Sequence, residues 1–204
     1  MVQVSGLVLA GGRGERFGSY KATLPLGGEP LILRPLRVLS DVCEEVLIAH
    51  GGEEGRRELE RLDTQAILVA DEGVGPLGGL LAGLKAARGE WVLVAPCDAP
   101  FVSRDLYLEL LSRARGWEGS VPRLHGRENP VIAAYRRSAF LRAGSEARAE
   151  GKEALMEVLP SLKLRYVEEE VLRGMPYGLH CLLDVDTRED YERAQRLLRD
   201  PSIR

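Results

Sequence analysis

The first 117 residues alternate short apolar runs with amphipathic stretches, and this alternation restricts the fold more than any other feature. The apolar runs predict strands at Val4–Ala10 and at residues 45–49, 66–70 and 91–95, and the amphipathic stretches predict helices at 30–39, 53–62, 77–87 and 103–113. Strands that alternate with helices form parallel sheets covered on both faces. The pattern therefore predicts a three-layer α/β/α, Rossmann-like fold with a mostly parallel central sheet. Within it, run 66–70 is predicted to be a short buried strand, and Ser103 is predicted to cap the helix at 103–113.

The rhythm changes after residue 118. Strands are predicted at 120–124 and 130–135 around a polar turn, in the manner of a hairpin-like insertion, followed by a short helix at 152–159, late strands at 162–167 and 181–185, and a closing helix at 187–198. Asp186 and Thr187 are the two candidate caps of that closing helix. At 204 residues the chain is expected to form one domain, 1–204, with two halves, 1–117 and 118–204.

Charge and cysteine content exclude several classes of protein. The formal net charge of −3 provides no general attraction for nucleic acid or an anionic membrane, so any phosphate site must be local. No apolar run approaches the roughly 18 residues of a membrane span. The only cysteines, Cys43, Cys97 and Cys181, match neither a disulfide framework nor a zinc site, which favours a reducing, cytoplasmic location.

A glycine-rich loop follows the first predicted strand. It contains Gly11, Gly12 and Arg16 and leads to Lys21. Glycines let backbone N–H groups approach a polyphosphate at the carboxyl end of a parallel strand, and the two cations add charge. The dinucleotide fingerprint needs a third glycine where Phe17 stands, and no Walker-type Gly-Lys-Ser/Thr follows. The loop predicts another kind of nucleotide site, although a tight turn that merely needs glycine is the alternative.

Two aspartates also follow predicted strands. Asp98 comes directly after the apolar run 91–95, where one carboxylate with nucleotide oxygens and waters would suit Mg²⁺. Asp71 precedes the small residues 75–79, against whose backbone a planar base can lie. A helix cap for Asp98 and a simple Gly-Pro turn at 75–79 are the alternatives. Cys97 has no histidine near it in sequence and is expected to pack in the core.

The sequence Leu-Ala-Gly-Gly-x-x-x-Arg-Phe-Gly-x-x-Lys at residues 9–21 resembles the signature of the molybdenum cofactor guanylyltransferases, members of a larger nucleotidyltransferase superfamily. Gly-Pro-Leu-Gly-Gly at 75–79 and Pro-Cys-Asp-x-Pro at 96–100 resemble the family's guanine and metal elements. Tyr20 departs from the pattern, because members usually carry Asp there. The resemblance implies a nucleotidyltransferase fold and transfer of GMP from GTP to the terminal phosphate of molybdenum cofactor, giving the guanine dinucleotide form and pyrophosphate.

The resemblance also implies roles for individual residues. Catalysis is expected from Arg16, Lys21 and Asp98, with Mg²⁺ on Asp98. GTP is expected to contact Leu9, Ala10, Gly11, Gly12, Lys21, Asp71, Gly75, Pro76, Leu77, Gly78 and Asp98. The second half is expected to bind the acceptor, and the enzyme to make transient contacts with proteins of cofactor synthesis or molybdoenzyme maturation.

A second-half element, Asn129-Pro130 and the strand after it, also resembles the family. Arg127, Asn129 and Lys152 are candidates to receive the acceptor's phosphate, with a merely solvated turn as the alternative. Asp184 and Asp186 stand where the family has Asn. Asp186 is predicted either to assist the metal or to cap the closing helix.

The sequence is also compatible with other functions. The glycine loop also fits a molybdopterin cytidylyltransferase, a cobinamide-phosphate guanylyltransferase or a sugar-1-phosphate nucleotidyltransferase. A non-catalytic nucleotide-binding protein would keep the same loop without turnover. A redox enzyme of the Rossmann class is disfavoured by the missing third glycine.

Overall fold

The centre of the protein is a mixed, mostly parallel β-sheet. The computed structural model describes residues 3–11, 20–71 and 75–200. The described strands are β1 (Val4–Ala10), β2 (Pro25–Leu26), β3 (Glu29–Pro30), β4 (Glu45–His50), β5 (Ile67–Ala70), β6 (Trp91–Pro96), β7 (Gly119–Leu124), β8 (Arg127–Glu128), β9 (Ala133–Arg136) and β10 (Leu164–Val167). The sheet order is β10-β7-β9-β6-β1-β4-β5, while β8 pairs with β7, and β2 and β3 form a separate hairpin. Only β8 and β9 pair antiparallel to their neighbours in the main sheet.

Helices cover both faces of this sheet. They are α1 (Leu33–Ser40), α2 (Gly52–Glu60), α3 (Gly75–Ala86), α4 (Arg104–Ala114), α5 (Arg137–Ala149), α6 (Leu155–Val158), α7 (Glu169–Arg173) and α8 (Arg188–Arg199). Side chains of α1, α2, α4 and α7 pack in one core cluster, and those of α3, α5 and α6 pack in another. The predicted three-layer α/β/α arrangement is therefore confirmed.

The central strands are apolar throughout because both of their faces are buried. In β6, Val92 and Val94 contribute to the core under α3 and α5, whereas Leu93 and Ala95 contribute to the core under α1 and α4. All four side chains are fully buried. This two-sided burial explains why β6 reads as a continuous apolar run rather than an alternating one.

The structure confirms the antiparallel pairing expected of the hairpin-like insertion, because β9 pairs with β7. β7 also forms a tight hairpin with the two-residue strand β8 across the turn at His125 and Gly126. The strand predicted at 130–135 is shorter, and as β9 it lies between β7 and β6 in the main sheet. The sequence did not reveal that β9 also pairs with β6, because β6 lies far from β9 along the chain.

Two other strand predictions need correction. Residues 181–185, predicted as a strand, instead continue from a 3₁₀ turn at Gly178–Leu182. Run 66–70 is a strand, β5, but it lies at the sheet edge and Ile67 is 42% exposed, so it is not buried.

Ser103 caps α4 as predicted, and the cap of α8 is Thr187, whose hydroxyl accepts from the Asp190 amide. Among the described residues, no helix is both long and apolar enough to cross a membrane.

Candidate active site

A cavity of about 950 Å³ lies at the carboxyl ends of the central parallel strands. Leu9 and Gly11 reach it from β1, Gly51 follows β4, Asp71 follows β5, and Asp98 follows β6. We call it the central cavity. Ligands of open α/β sheets bind at this edge, so the described parts of the loop and both predicted aspartates meet where a nucleotide would be held.

Glycines keep one wall of the central cavity close to Asp71. A Cβ atom on Gly11 or on Gly79 would lie 3.2 Å from Asp71 Oδ2. A Cβ atom on Gly51 would lie 3.0 Å from the carbonyl oxygen of Gly11. Both distances are tighter than ordinary van der Waals contact. Glycine at positions 11 and 51 therefore allows these two backbone segments to lie close together, and glycine at position 79 allows the Asp71 carboxylate to lie close to α3.

Lys21 joins two carboxylates from distant parts of the chain. Its Nζ donates to Asp98 Oδ2, and it lies 2.6 Å from Asp186 Oδ1. The Lys21 and Asp98 side chains are only 13% and 12% exposed, whereas Asp186 is 62% exposed. The Val185 amide donates to the Asp98 carbonyl oxygen at 2.9 Å, which fixes the 184–186 segment beside β6.

Burial sets the charges in this cluster. Burial disfavours the Lys21 ammonium, but Asp98 and Asp186 outweigh that effect and raise its pKa, so the group stays charged. Burial raises the pKa of Asp98 above its usual range, with Lys21 acting in the opposite direction. Burial and then the neighbouring carboxylates of Asp98 and Asp186 raise the pKa of Asp184 to about 7. The cluster therefore carries more carboxylate groups than its one ammonium group can neutralise.

The central cavity has a donor set that fits a hard cation. Asp184 Oδ1 is buried and accepts no hydrogen bond from the described residues. No three His, Cys, Asp or Glu side chains in the described ranges are arranged to hold a metal by themselves. Mg²⁺ takes one or two carboxylates and fills its shell with phosphate oxygens and waters, so Asp98 and Asp186 match that preference once a nucleotide is present.

The electrostatic balance of the cavity supports the same conclusion. Its described lining includes six carboxylate side chains and one ammonium group, and the carboxylates belong to Glu53, Glu54, Asp71, Asp98, Asp184 and Asp186. A triphosphate carries several negative charges and would be repelled by such a wall. A bound divalent cation would offset part of this repulsion.

Tyr20, which stands where the family usually has Asp, forms part of the cavity wall. Its hydroxyl donates to the carbonyl oxygen of Ala10 at the end of β1. Its ring lies against α2, where a Cβ atom on Gly55 would be 2.9 Å from the Tyr20 hydroxyl oxygen. Burial raises the pKa of Tyr20, so the phenol remains a neutral donor. Tyr20 thus links β1 to α2 immediately before Lys21.

The predicted nucleotide residues divide into three groups. Those that line the central cavity are Leu9, Gly11, Lys21, Asp71, Gly75, Pro76 and Asp98. Ala10, Leu77 and Gly78 are buried beside the cavity but are not among the residues that line it. Gly12 and Arg16 fall outside the described residues.

Cys97 is buried in the core cluster of α1 and α4, and burial raises the pKa of its thiol, as expected for a packing residue.

The structure adds residues that the sequence analysis missed. Residues 51–55 contribute to the wall, and Tyr20 and Asp184 contribute side chains, whereas Gly79 belongs to the predicted element 75–79. A signal was available, because Gly51 and Gly52 follow β4 just as Gly11 and Gly12 follow β1. Asp186 accepts from Lys21 and does not cap α8, so the capping alternative for this residue is wrong.

The three predicted acceptor residues lie elsewhere. Arg127 is exposed on β8, and Asn129 Oδ1 accepts from the amides of Val131 and Ile132 at 3.2 Å each. Lys152 Nζ lies 2.6 Å from Glu150 Oε2. None of the three is among the described residues that line the central cavity. Their part in acceptor binding stays a prediction.

Comparison with known proteins identifies relatives over nearly the whole chain. The MobA-like NTP transferase domain matches residues 6–168. A probable molybdenum cofactor guanylyltransferase of Pelotomaculum thermopropionicum is 34% identical over 196 residues, which cover 96% of this chain and 93% of that protein. A protein of the same name from Bacillus cereus is 29% identical over 201 residues, with 96% and 98% covered.

Solved structures agree with this assignment. Molybdopterin-guanine dinucleotide biosynthesis protein A from Archaeoglobus fulgidus superposes with a TM-score of 0.82 at 26% identity, covering 96% of this chain and 98% of that one. 2-C-methyl-D-erythritol 4-phosphate cytidylyltransferase from Thermus thermophilus shares the fold, with a TM-score of 0.72 at 21% identity over 95% and 98% of the two chains. The sequence match, the two-sided sheet and the cavity at its carboxyl edge place this chain in the MobA-like NTP transferase family.

Proposed function

We propose that the protein transfers GMP from GTP to the terminal phosphate of molybdenum cofactor, giving the guanine dinucleotide form and pyrophosphate. The observation that carries this proposal is the junction of Lys21, Asp98 and Asp186 at the carboxyl edge of the sheet. The family and the names of its relatives supply the identity of the substrates. We place the reaction in the cytoplasm.

The chemistry is an in-line displacement at phosphorus. An oxygen of the acceptor's terminal phosphate attacks the α-phosphorus of GTP and forms a new P–O bond. The bond between the α-phosphorus and the oxygen that bridges to the β-phosphate breaks, and pyrophosphate leaves with the electron pair. No protein nucleophile is needed, so catalysis rests on positioning and on stabilising charge at the phosphoryl oxygens.

Lys21 has the central electrostatic role in this proposal. It is the one cation among the described residues that line the central cavity, and it is largely buried. When a nucleotide enters, the ammonium group can exchange a carboxylate partner for phosphate oxygens at little cost, because it is already desolvated and positioned. Arg16, on the glycine loop, would add a second cation by the family's pattern.

Asp98 and Asp186 would hold Mg²⁺ together with the nucleotide phosphates, with Asp184 beside them. When bound, the ion neutralises phosphate charge and polarises the P–O bonds. Asp71 and the glycine-bearing start of α3 form the wall against which we place the guanine, with Leu9 of β1 beside it. Ala10, which is buried next to the cavity, stays in the predicted nucleotide set. Gly12, Leu77 and Gly78 complete the predicted nucleotide set.

We assign nucleotide binding to residues 1–117 and acceptor binding to residues 118–204, within one domain. Strands from both halves belong to the same sheet, and this shared sheet supports the proposal that the two substrates meet at one edge. Arg127, Asn129 and Lys152 are proposed acceptor contacts at the periphery. Transient contacts with proteins that make or use the cofactor would deliver the product, whereas nucleic acid and membranes have no part in the proposal.

Thermal-shift measurements with each of the four NTPs, with and without Mg²⁺, test the nucleotide part. A ligand that binds only the folded state raises the melting temperature. We expect the largest shift with GTP and a larger one with Mg²⁺ present. A shift selective for CTP would contradict the proposal and favour a cytidylyltransferase.

An assay of GMP transfer to molybdenum cofactor, read as pyrophosphate release and dinucleotide formation, tests the rest. We expect both products only when GTP, Mg²⁺ and the acceptor are all present. GTP binding without any transfer would favour a non-catalytic nucleotide-binding protein.

A further inference from the structure

A second cavity, of about 820 Å³, lies beside the one already described. The chain from Met175 to Leu183 supplies most of its wall, and side chains of Arg173 and Arg193 and the hairpin turn at His125 supply the rest. We call it the second cavity. Neither the proposed GTP site nor the predicted acceptor residues account for it.

The second cavity opens on the same edge of the sheet as the central cavity. β9 is antiparallel to both β6 and β7, so β7 runs parallel to β6, and β10 is parallel to β7. The carboxyl end of β7 leads into the turn at His125, and that of β10 leads into α7, which ends at Arg173. The central cavity covers the ends of β1, β4, β5 and β6, whereas the second covers the ends of β7 and β10.

The two cavities have opposite charge. The basic side chains among the described lining of the second cavity belong to two arginines and two histidines, Arg173, Arg193, His125 and His180, and no carboxylate is among the described residues that line it. Glu169 contacts both Arg173 and His125 from outside the lining. Arg193 Nη2 lies 3.3 Å from His180 Nδ1, and burial and Arg193 lower the pKa of His180, which favours the neutral ring. A protein with a net charge of −3 thus has a basic cavity next to an acidic one.

The wall between the cavities is one short segment. Leu183 lines the second cavity, Asp184 and Asp186 line the central one, and the Val185 amide is bonded to the Asp98 carbonyl. The two steps along the chain from Leu183 to Val185 span at most about 7 Å of extended backbone. A ligand in the second cavity therefore needs only a short arm to bring a reacting group to Asp98.

We propose that the second cavity binds the anionic, ring-bearing body of the acceptor, and that Arg193 and Arg173 contact its negative groups while its terminal phosphate reaches across Leu183 to Asp98. Pro176, Tyr177 and Leu179 supply the apolar and aromatic surface that a ring system requires. This inference rests on the proposed function, because it assigns a location to that reaction's second substrate. It places the acceptor mainly against residues 173–183 and α8.

The test is steady-state kinetics of GMP transfer with Arg193→Ala and Arg173→Ala. Loss of a charge-assisted contact is expected to raise the KM for molybdenum cofactor by about tenfold or more in each variant. The KM for GTP and the GTP-induced thermal shift should stay within about twofold and about one degree of wild type, which a general structural defect would not allow. Arg193→Lys, which keeps the charge, should recover part of the loss.

Arg188→Ala is the matched control, since Arg188 lies on the same helix, is 91% exposed and pairs with Glu192. It should leave both KM values unchanged. Should Arg193→Ala disturb α8, Arg173→Ala on the exposed end of α7 decides the question. An unchanged acceptor KM in both alanine variants, with normal transfer by wild type, would overturn the inference alone. Absence of transfer by wild type would overturn the proposed function as well.

Discussion

The main-chain amide of Val185 donates to the carbonyl oxygen of Asp98 across 2.9 Å, although 86 positions separate the two residues in the sequence. This single bond holds the 184–186 segment against the end of β6. Two more carboxylates, those of Asp184 and Asp186, consequently lie beside Asp98 and Lys21. The C-terminal part of the chain thereby completes a site that the N-terminal strands begin.

Asp98→Asn should abolish most Mg²⁺-dependent GTP turnover. The amide keeps the shape of the side chain but removes the charge that would hold the cation, and we expect kcat to fall by at least about a hundredfold. The loss is measured as pyrophosphate release in the presence of acceptor. Asp105→Asn, on exposed residue 105 of α4, is the control and should behave as wild type. Turnover close to wild type in Asp98→Asn would remove Asp98 from its assigned role.

Lys21→Met should lower stability and change the response to metal. The substitution keeps the aliphatic stem but leaves Asp98 and Asp186 without their shared cation, which we expect to cost about 1–3 kcal/mol of unfolding free energy. Mg²⁺ without nucleotide should then raise the melting temperature more in the variant than in wild type, because the ammonium no longer competes for the carboxylates.

Urea unfolding and thermal melts with increasing Mg²⁺ measure both effects of Lys21→Met. Lys163→Met provides a comparison at an exposed lysine whose Nζ lies 5.0 Å from the centroid of the Trp117 ring. That variant should show neither the larger metal response nor a loss of GTP turnover. Equal metal responses in wild type and Lys21→Met would argue against direct competition between the ammonium and Mg²⁺.

Asp184 should make stability depend on pH in the absence of metal. Because burial and two neighbouring carboxylates raise its pKa to about 7, Asp184 keeps its proton in the folded protein after the unfolded chain has lost it. Its contribution to the free energy of unfolding therefore falls as pH rises from about 4 to about 7. Asp184→Asn should remove this fall and gain on the order of 1–3 kcal/mol relative to wild type across that range. Urea unfolding at several pH values measures it, and parallel pH profiles for the two proteins would refute the assignment.

Tyr20 and Gly55 should be energetically coupled. In Gly55→Ala the new methyl group would lie 2.9 Å from the Tyr20 hydroxyl oxygen and should displace the ring, breaking its bond to the Ala10 carbonyl. We expect lower stability and a higher KM for GTP. In a Tyr20→Ala background the same change should be harmless or stabilising, because alanine favours helix α2 over glycine by about 1 kcal/mol. A double-mutant cycle should give a coupling of about 1–2 kcal/mol, and additive effects would count against the contact.

Much of the fold could be predicted because local patterns report it. The apolar run of β6 and the Ser103 cap of α4 depend on burial and on neighbours within a few residues, and both predictions were confirmed. The features that the sequence did not predict concern non-local pairing. β9 pairs with β6 as well as with β7, and residues 181–185, predicted as a strand, bond to the end of β6 without forming a ladder. No periodicity in those segments indicates which distant strand they will meet.

The candidate site divides in the same way. Lys21, Asp71 and Asp98 could be assigned to the carboxyl edge of a parallel sheet from local sequence patterns, because each is adjacent to a strand end or to its loop. By contrast, the bond from Lys21 to Asp186 and the basic cavity beside the acidic one became apparent only in the folded protein. Charge pairing and cavity shape depend on distances between segments far apart in the chain, and only the packed sheet and helices fix those distances.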